Sequence, residues 1–414
     1  MRVLFISAFY PPFEIGGWEQ LTKEIGDRLQ ARGHEIRVLT STFRKDGEIT
    51  KEDRIWRLLR LVNNQYRYNP FLFFATHDLD RNYNFATLRK TITSFQPQAV
   101  MVHSMWNLSR SILWNAEQLL PNHVAYFLAD YWPAEPDVDE NFWMNQRNRE
   151  SIFRWRYHLS KMVTERLKIE KEEYRLKFEN TIFVSRAVQY YLEEAGFDWA
   201  SRGRVIHNGI DLKKFSPGLP NSRTYEAGYL LFIGSLAPHK GLITVLNAFA
   251  LLKSIPEMDS LKLLVAGGGH PEHVAQIEAL IDEFNLSNRV ILLGPIDRDH
   301  LPDLYRGAYA LVFPSIWREP LARTTQEAMA CGIPVIATLT GGTSELITDG
   351  INGLGFQPED ARELALQIQR LWSDPELAKK IAVAGRETIA QKFDIELTVT
   401  HFEKYLLNLI ETTK

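Results

Sequence analysis

Short apolar runs alternate with helical patterns along the chain, and this alternation restricts the fold more than any other feature of the sequence. The first run, Val3–Ser7, is continuous and apolar, as expected for a parallel strand buried on both faces. A loop containing Gly16 and Gly17 follows it. A helical pattern then covers Trp18–Arg32, and a second apolar run covers Glu35–Thr40. The order strand, helix, strand predicts a βαβ unit at the start of the chain.

The alternation occurs in two series, separated by a segment without apolar periodicity. That segment, Asn208–Leu219, contains two glycines and a proline, which predicts a linker. Buried strands are predicted before it at Ala99–His103, His123–Leu128, Thr181–Val184 and Val205–His207, and after it at Tyr229–Ile233, Leu261–Ala266, Val290–Leu293, Ala310–Phe313 and Pro334–Ala337. We therefore predict an α/β fold with two doubly wound, Rossmann-like domains facing a cleft. Ligands of such sheets bind at the carboxyl ends of the strands.

Length and composition set broad limits on the class of protein. The chain has 414 residues, more than one hydrophobic core usually supports. Its formal net charge of -3 gives no reason to expect nucleic acid binding. The single cysteine, Cys331, excludes an intrachain disulfide and any multi-cysteine metal site, and it fits a reducing, cytoplasmic setting. No run of about 18 apolar residues occurs, so no membrane-spanning helix is predicted.

Two glutamates within one strand, loop, helix and strand pattern give the strongest chemical signal. The pattern comprises Phe313–Pro320 and Glu327–Ala337, with a helix predicted over Leu321–Cys331. Free N–H groups at the start of that helix form an anion site at the end of a strand. Glu319 lies at this start and can accept hydrogen bonds from sugar hydroxyls, whereas Glu327 can accept from both hydroxyls of a ribose. For the two glutamates taken alone, ordinary surface positions are the alternative.

The whole block resembles the signature of the retaining glycosyltransferases of family 4. That signature is Glu-x7-Glu within Phe-Pro-Ser…Glu-Ala-Met-Ala-x-Gly-x-Pro-Val-Ile-Ala…Gly-Gly, and here it ends at Gly341-Gly342. The resemblance implies a GT-B fold and a nucleoside diphosphate sugar as co-substrate, without a separate cofactor or metal. It implies catalytic contact of the first glutamate with the donor sugar and ribose binding by the second. The implied donor contacts are Glu319, the backbone of Pro320, Leu321 and Ala322, and Glu327.

A second motif, Gly234–Gly241, places a lysine after a predicted strand. Lys240 lies where a helix begins, and its flexible ammonium suits a diphosphate leaving group. The related family pattern is Gly-Arg-Leu…Lys-Gly, which implies that Lys240 is a catalytic, donor-binding residue. Ser235 replaces the family's arginine and retains a hydrogen bond without the charge. A solvated lysine is the alternative, which the helix dipole disfavours at this position.

Three glycine-containing loops give weaker signals for donor binding. Gly268 lies in a glycine loop after a strand, and Ile296 lies in a segment resembling the family loop whose backbone pairs with the nucleobase. Gly16 and Gly17 resemble the family loop that brings backbone close to the donor diphosphate. A plain turn is the alternative in each case.

The first domain carries the candidate acceptor-side groups. Phe127–Pro133 resembles the family segment written His-Asp-Tyr-Trp, but Ala129 replaces the histidine. Asp130 remains as a candidate catalytic and acceptor-side group, and His103 is a second acceptor-side candidate. A strand-end histidine with satisfied hydrogen bonds is the alternative for His103. The departure at Ala129 leaves the acceptor class open.

Two further patterns have more than one interpretation. Asp137-Val138-Asp139 and Asp297-Arg298-Asp299 resemble a metal-binding Asp-x-Asp, but their turn-like context does not favour a metal role. Phe142–Lys177 interleaves basic and aromatic residues, which is compatible with a membrane-surface or lipid-linked acceptor patch. We favour a long amphipathic helix, about Arg147–Phe178, packed on its own domain.

These observations lead to one functional hypothesis and two rivals. We predict an acceptor-side domain at 1–207, a linker at 208–220, a donor domain at 221–394 and a final helix at 395–414 that crosses back to the first domain. The predicted activity is sugar transfer, with retention, from a nucleoside diphosphate sugar to an unidentified acceptor: a glycan, a lipid-linked molecule or a small molecule. Peripheral contact with the inner face of a membrane is compatible with this activity. The rivals are a nucleotide-sugar epimerase of the same fold and a non-catalytic nucleotide-sugar-binding protein, the latter suggested by Ala129 and Ser235.

Overall fold

The computed structural model describes residues 1–13, 16–43, 50–62, 68–144, 154–218 and 228–412. The chain divides into two units. Unit 1 consists of Met1–Val184, Val188–Ile206 and Val399–Lys414, and unit 2 consists of Ser185–Ala187 and His207–Thr398. Each unit is built on one sheet whose strands are mainly parallel, as the sequence predicts.

The sheet of unit 1 has eight strands within the described ranges. They are β1 Arg2–Ser7, β2 Glu35–Ser41, β3 Thr50–Glu52, β4 Ile55–Leu59, β5 Ala99–Val102, β6 Val124–Leu128, β7 Asn180–Phe183 and β8 Arg204–Val205. Their order is β3-β4-β2-β1-β5-β6-β7-β8, and only the β3–β4 pair is antiparallel. Val3 pairs with Ile36 on one side and Ala99 on the other, so β1 is central and its apolar run is buried on both faces.

Helices of unit 1 precede or follow these strands. The described helices are Gly17–Ala31, Pro70–Phe95, Ser111–Leu119, Val138–Met144, Arg154–Glu173, Arg186–Glu194 and the larger part of Ile395–Glu411, with a short 3-10 helix at Asp198–Arg202. The helix predicted at about Arg147–Phe178 is thus present over Arg154–Glu173, and its predicted start lies outside the described residues. Within it, Val163 and Leu167 pack with Phe73 and Trp143 in a small apolar cluster.

The long helix Pro70–Phe95 is absent from the sequence-based prediction. Its apolar residues do not form one buried stripe, because Phe73 is buried whereas Phe71 is 80% exposed and Leu79 is 64% exposed. An amphipathic stripe is the main signal for a helix, so its absence explains the omission. A local start signal was present: Asn69 caps the helix by accepting from the Phe71 N–H at 3.0 Å.

A buried histidine, His77, joins three helices of unit 1. Its Nε2 lies 2.8 Å from Glu170 Oε2, and its Nδ1 lies 3.3 Å from Asp139 Oδ2. Burial alone lowers the pKa of His77, but hydrogen bonds and the charges of Asp139 and Glu170 outweigh it and raise that pKa to about 9. His77 is therefore a buried cation at neutral pH, held between two carboxylates.

The sheet of unit 2 is entirely parallel. Its described strands are β9 Tyr229–Ile233, β10 Leu263–Ala266, β11 Val290–Gly294, β12 Ala308–Phe313, β13 Val335–Thr338 and β14 Leu354–Phe356. Their order is β11-β10-β9-β12-β13-β14. The described helices are Leu242–Leu252, Pro271–Glu283, Leu301–Gly307, Arg323–Ala330, Thr343–Leu346, Ala361–Ser373, Pro375–Lys392 and the start of Ile395–Glu411, with short 3-10 helices at Pro238–Lys240 and Pro256–Met258.

The strand order of unit 2 reverses direction at β9. This strand pairs with β10 on one side and with β12 on the other. A ligand crevice of an open α/β sheet forms at such a reversal, outside the carboxyl ends of the two strands. The segments following β9 and β12 are therefore the place where unit 2 is expected to bind a ligand.

Residues 208–218, predicted as a linker, form part of unit 2. Asn208 is buried, its side-chain amide donates to Gln326 Oε1 at 2.9 Å, and its backbone oxygen accepts from Gln326 Nε2 at 3.0 Å. A Cβ on Gly209 would lie 2.6 Å from the backbone of Ile395. The lack of periodicity in this segment thus reflects packing through backbone and amide groups. Leu219 and the remaining predicted linker residue, Pro220, lie outside the described residues.

The last helix, Ile395–Glu411, contributes to both units. In unit 1, the Phe402 ring lies 4.6 Å from the Phe127 ring. Glu403 forms an ion pair with Arg32 at 2.9 Å and a hydrogen bond with His34 at 2.6 Å. The end of the chain is therefore part of the structure of its first unit.

No helix in the described ranges combines the length and apolar character needed to cross a membrane.

Candidate active site

The segments after β9 and β12 are in backbone contact. The Ile316 N–H donates to the His239 carbonyl oxygen at 3.0 Å, and the Ser315 hydroxyl oxygen lies 3.3 Å from the same oxygen. Gly241 has a φ of 73°, and a Cβ there would lie 2.0 Å from the Pro314 carbonyl oxygen. Only glycine permits this approach, which brings the residues before Gly241 beside the loop after β12.

This contact places Lys240 against Glu319. The Lys240 ammonium donates to Glu319 Oε1 at 2.6 Å, and the Ser315 hydroxyl donates to the same oxygen at 2.7 Å. The two ion-pair side chains are 22% and 8% exposed, respectively. The Lys240 ammonium also lies 5.5 Å from the centre of the Trp317 ring. The structure thus joins the two strongest sequence candidates of this unit, which the motifs had assigned to separate tasks.

Two glycines hold the backbone of Glu319 in place. The Gly342 N–H donates to the Glu319 carbonyl oxygen at 2.7 Å. A Cβ on Gly342 would lie 2.0 Å from the Pro320 carbonyl oxygen, and one on Gly341 would lie 2.3 Å from the Glu319 carbonyl oxygen. The glycine pair at the end of the signature therefore has a steric role in positioning the glutamate.

The helix after Glu319 begins later than predicted. It covers Arg323–Ala330, not Leu321–Cys331, with Ala322 in an extended conformation at its N-cap. The difference arises because Pro320 to Ala322 form a separate bend, in which the Ser185 hydroxyl donates to the Pro320 carbonyl oxygen at 2.5 Å. The N–H groups of Leu321 and Ala322 have no hydrogen-bond acceptor in the described part of the chain. They are donors available to a ligand beside Glu319.

Glu327 is buried and holds two partners. Its Oε1 accepts from Arg298 at 2.8 Å, and its Oε2 accepts from the Tyr305 hydroxyl at 2.9 Å. Burial and the Glu327 carboxylate raise the pKa of Tyr305, which keeps that hydroxyl protonated as a donor. Arg323 Nε lies 3.8 Å from Glu327 Oε1. Neither Arg298 nor Tyr305 was singled out for this contact from the sequence, because their partnership arises only when the helix at 301–307 packs beside Glu327.

The loops after β9, β10 and β11 bring together the remaining donor candidates of this unit. Gly267 has a φ of 143°, and a Cβ there would lie 1.8 Å from the Gly234 carbonyl oxygen. The Leu236 N–H donates to the Gly268 carbonyl oxygen at 2.9 Å, and a Cβ on Gly268 would lie 3.2 Å from Pro295. Ser235 in the first loop is exposed, and Ile296 in the third is half-buried.

In unit 1, the loop after β1 carries Gly16 and Gly17 at the start of the first helix. Gly16 is extended, and among the described residues the nearest atom to a Cβ there would be Glu19 Oε2 at 3.9 Å. The Gly16 N–H donates to Glu19 Oε2 at 3.0 Å. A buried arginine that was not predicted from the sequence, Arg57, donates to the carbonyl oxygens of Tyr10 and Pro11 at 3.1 and 2.7 Å.

His103 and Asp130 follow neighbouring strands, β5 and β6. His103 is 2% exposed, and neither ring nitrogen has a hydrogen-bond partner among the described residues, so it is not a satisfied strand-end histidine. Burial lowers the pKa of His103 to about 3, which keeps the ring neutral. Burial raises the pKa of Asp130 to about 7, against the lowering effect of a hydrogen bond from the backbone N–H of Trp132.

The two Asp-x-Asp patterns make contacts with other parts of the protein. Asp139 accepts from the Tyr68 hydroxyl at 2.5 Å and pairs with His77, while Asp137 accepts from the Glu140 N–H at 2.8 Å. Asp299 pairs with Lys214 at 2.5 Å. Within the described ranges, no group of three or more His, Cys, Asp or Glu side chains is placed to hold a metal ion.

Comparison with known proteins gives two family matches. Residues 221–388 match the family described as glycosyl transferases group 1, and residues 15–214 match glycosyltransferase family 4. D-inositol 3-phosphate glycosyltransferase of Xylanimonas cellulosilytica is 29% identical over 204 residues, which are 46% of this chain and 48% of that protein. The alignment thus spans about half the length of this curated relative.

Solved structures resemble the chain over almost its full length. Sucrose-phosphate synthase of Thermosynechococcus elongatus has a TM-score of 0.74 at 24% identity, covering 99% of both chains. HepE of Anabaena, solved with UDP and glucose, has a TM-score of 0.69 at 20% identity, covering 98% of both chains. The fold is therefore GT-B, with two Rossmann-like domains, as the sequence predicts. With both family matches spread over the chain, this protein belongs to the group 1 glycosyltransferases of family 4.

Proposed function

We propose that this protein transfers a sugar from a nucleoside diphosphate sugar to an acceptor hydroxyl, with retention of anomeric configuration. The observation that carries the proposal is the Lys240–Glu319 pair, which lies at the reversal of strand order beside the free N–H groups of Leu321 and Ala322. A cation, a carboxylate and free N–H donors together match the diphosphate and hydroxyl groups of such a donor. HepE binds UDP and glucose, which supports a uridine nucleotide as the first donor to test.

Donor binding exchanges the partners of the ion pair. The Lys240 ammonium moves from Glu319 to a diphosphate oxygen, where it acts as a point charge. Glu319 then accepts from hydroxyls of the donor sugar, and the N–H groups of Leu321 and Ala322 donate to sugar oxygens. The Ser315 hydroxyl keeps Glu319 oriented during the exchange, since it donates to Oε1 at 2.7 Å.

The nucleoside is assigned to the neighbourhood of Glu327. Its two carboxylate oxygens can accept from both ribose hydroxyls, provided that Arg298 or Tyr305 gives up or shares its contact. The backbone at Gly268 and Ile296 provides the base and phosphate contacts, and Ser235 provides a hydroxyl. Gly16 and Gly17 are proposed to contribute backbone contacts to the donor diphosphate.

The proposed step breaks the bond between the anomeric carbon and the diphosphate oxygen and forms a bond from that carbon to the acceptor oxygen on the same face. The acceptor proton passes to the departing phosphate oxygen, so no separate protein base is needed. Lys240 and the N–H donors stabilise the developing negative charge of the leaving group. We propose that this arrangement operates without a metal or a resident cofactor. Asp130 and His103 are assigned to the acceptor side.

Peripheral membrane contact remains a separate part of the proposal. At the start of the helix Pro70–Phe95, the residues Phe71, Leu72 and Phe74 are 80%, 41% and 45% exposed, respectively. Exposed aromatic and aliphatic side chains in one turn favour insertion at a lipid interface. Co-sedimentation with anionic vesicles, compared with Phe71→Ser, tests this contact.

The proposed transfer activity is tested by measuring the release of UDP from UDP-glucose with purified protein and a broad acceptor panel. Acceptor-dependent release together with a retained anomeric configuration in the product is expected. Donor binding without turnover across the panel would favour the non-catalytic protein, which the substitutions at Ala129 and Ser235 suggest. Conversion of the donor into a different nucleotide sugar would favour the epimerase.

A further inference from the structure

An exposed indole lies beside the buried ion pair of unit 2. Trp317 is 36% exposed, although it precedes Glu319, whose side chain is 8% exposed, by only two residues. A single exposed apolar side chain is ordinary on a protein surface, so the position of this indole, and not its exposure, is the evidence for a role. No contact proposed above for the donor involves this residue.

Hydrogen bonds fix the backbone of Trp317 on both sides. The Ile316 N–H donates to the His239 carbonyl oxygen at 3.0 Å, and the Thr340 hydroxyl donates to the Trp317 carbonyl oxygen at 2.9 Å. Thr340 follows β13 and directly precedes the glycine pair that supports Glu319. The indole is thus carried by the same fixed segments as the carboxylate. A side chain on such a backbone loses little freedom when it contacts a ligand.

One ammonium group connects the indole to the ion pair. Lys240 Nζ lies 2.6 Å from Glu319 Oε1 and 5.5 Å from the centre of the Trp317 ring, within the range of a cation–π contact. The His239 ring, from the loop after β9, lies 6.1 Å from the Trp317 ring. The carboxylate and the indole therefore border the same space, and the Lys240 ammonium occupies it.

The exchange of partners proposed for donor binding empties this space. When the Lys240 ammonium moves to a diphosphate oxygen, the negative face of the Trp317 ring loses its cation. The C–H groups on one face of a pyranose ring are apolar and weakly positive, so they can replace the ammonium on the indole. One sugar can then offer its hydroxyl groups to Glu319 and its C–H face to Trp317.

On these contacts, and resting on the proposed transfer function, we propose that Trp317 is a further donor-binding residue whose indole stacks on the ring of the donor sugar. The contact involves the sugar and not the nucleotide. It therefore raises the affinity for the nucleoside diphosphate sugar relative to that for the nucleoside diphosphate left after transfer. Trp317 thus favours binding of the donor over retention of the product.

Titration calorimetry on the full chain tests the proposal with UDP-glucose, GDP-mannose and ADP-glucose, each compared with its nucleoside diphosphate. For the pair that binds, we expect Trp317→Ala to weaken the nucleotide sugar about tenfold and the nucleoside diphosphate about twofold or less. Trp317→Phe keeps a smaller aromatic face and should give an intermediate loss. Leu366→Ala is the matched control, because Leu366 is a 64% exposed apolar residue on the helix Ala361–Ser373 of the same unit.

The two affinities of each pair separate this inference from the donor proposal. Equal weakening of both ligands in Trp317→Ala would mean that the indole acts only through Lys240 and the diphosphate. That result would overturn the sugar contact, and so would unchanged affinity for both ligands, whereas the donor assignment would stand in either case. If the wild-type protein binds none of the nucleotide sugars, the proposed transfer function fails and the sugar contact fails with it.

Discussion

Lys240 Nζ lies 2.6 Å from Glu319 Oε1, in an ion pair whose side chains are only 22% and 8% exposed. Lys240→Ala removes the cation proposed to stabilise the departing diphosphate. We expect kcat/KM for transfer to fall about 100-fold or more, the usual loss on removing one such donor. Steady-state kinetics with UDP-glucose measures it. Lys262→Ala, an exposed lysine of the same unit, is the control, and a loss below threefold in Lys240→Ala would contradict the assignment.

Glu327 is the ribose candidate, and it supports the fold as well. Glu327→Ala leaves Arg298 and the Tyr305 hydroxyl without their carboxylate, so we expect a stability loss of about 3 kcal/mol in urea unfolding. Glu327→Gln retains an acceptor for Tyr305 and should fold, yet bind UDP about tenfold more weakly. Glu283→Gln, on an exposed helix position, should match the wild type in both measurements. Equal UDP affinity in Glu327→Gln would remove the ribose role.

Gly342→Ala tests the steric support of Glu319. The new methyl group would lie 2.0 Å from the Pro320 carbonyl oxygen, so the loop must shift or the protein loses stability. We expect a drop in melting temperature of several degrees together with loss of transfer. Gly218→Ala is the matched control, since among the described residues a Cβ there comes near only the Arg306 side chain, at 3.8 Å. An unchanged melting temperature and activity in Gly342→Ala would show that the loop position is not critical.

From the raised pKa of His77 we expect the protein to lose stability at alkaline pH. Its pKa is raised from 6.5 to about 9, so the charged ring stabilises the fold fully below pH 6.5, and this contribution disappears as the pH rises through 9. The shift corresponds to on the order of 3 kcal/mol. Urea unfolding between pH 6 and pH 10 should show this decline in the wild type and a flatter curve in His77→Gln. His158→Gln, at an exposed position, should retain the decline, and identical curves for His77→Gln and the wild type would contradict the prediction.

From the raised pKa of Asp130 we expect the rate of sugar transfer to depend on pH. Burial raises its pKa to about 7, so near neutral pH the carboxyl is divided between its two forms. If the ionised form orients the acceptor hydroxyl, kcat/KM rises with pH and levels off above about 8. Asp130→Asn should give a low, flat profile, whereas Asp282→Asn on the surface should keep the wild-type shape. If the inflection of the wild-type profile persists in Asp130→Asn, it reports the titration of another group.

Strands buried on both faces were predictable because their signal is local. Val3–Ser7 and Tyr229–Ile233 are continuous apolar runs, and the structure places both in the middle of parallel sheets. The helix Pro70–Phe95 was missed because its exposed phenylalanines remove the apolar stripe. The packing of Asn208 was not predictable from the sequence, since its contacts with Gln326 join residues 118 positions apart.

The candidate site also contains residues that the sequence predicts and residues that it does not. Glu319, Lys240 and the glycines are visible in the sequence as motifs, but their mutual contacts depend on the pairing of β9 with β12. The contacts of Glu327 with Arg298 and Tyr305, and those of the buried Arg57, are not indicated by any sequence pattern, and only tertiary packing assigns them.

The final helix has a consequence for folding during synthesis. Phe402 and Glu403 complete unit 1 through Phe127, Arg32 and His34. Val399 emerges from the ribosome about 190 residues after Ile206, which is roughly 10–40 s at ordinary elongation rates. Throughout that interval the nascent first unit displays an uncovered apolar surface around Phe127, although most of its sheet has already been made. We therefore expect co-translational chaperones to act on this incomplete first unit until the residues from Val399 onward have been made.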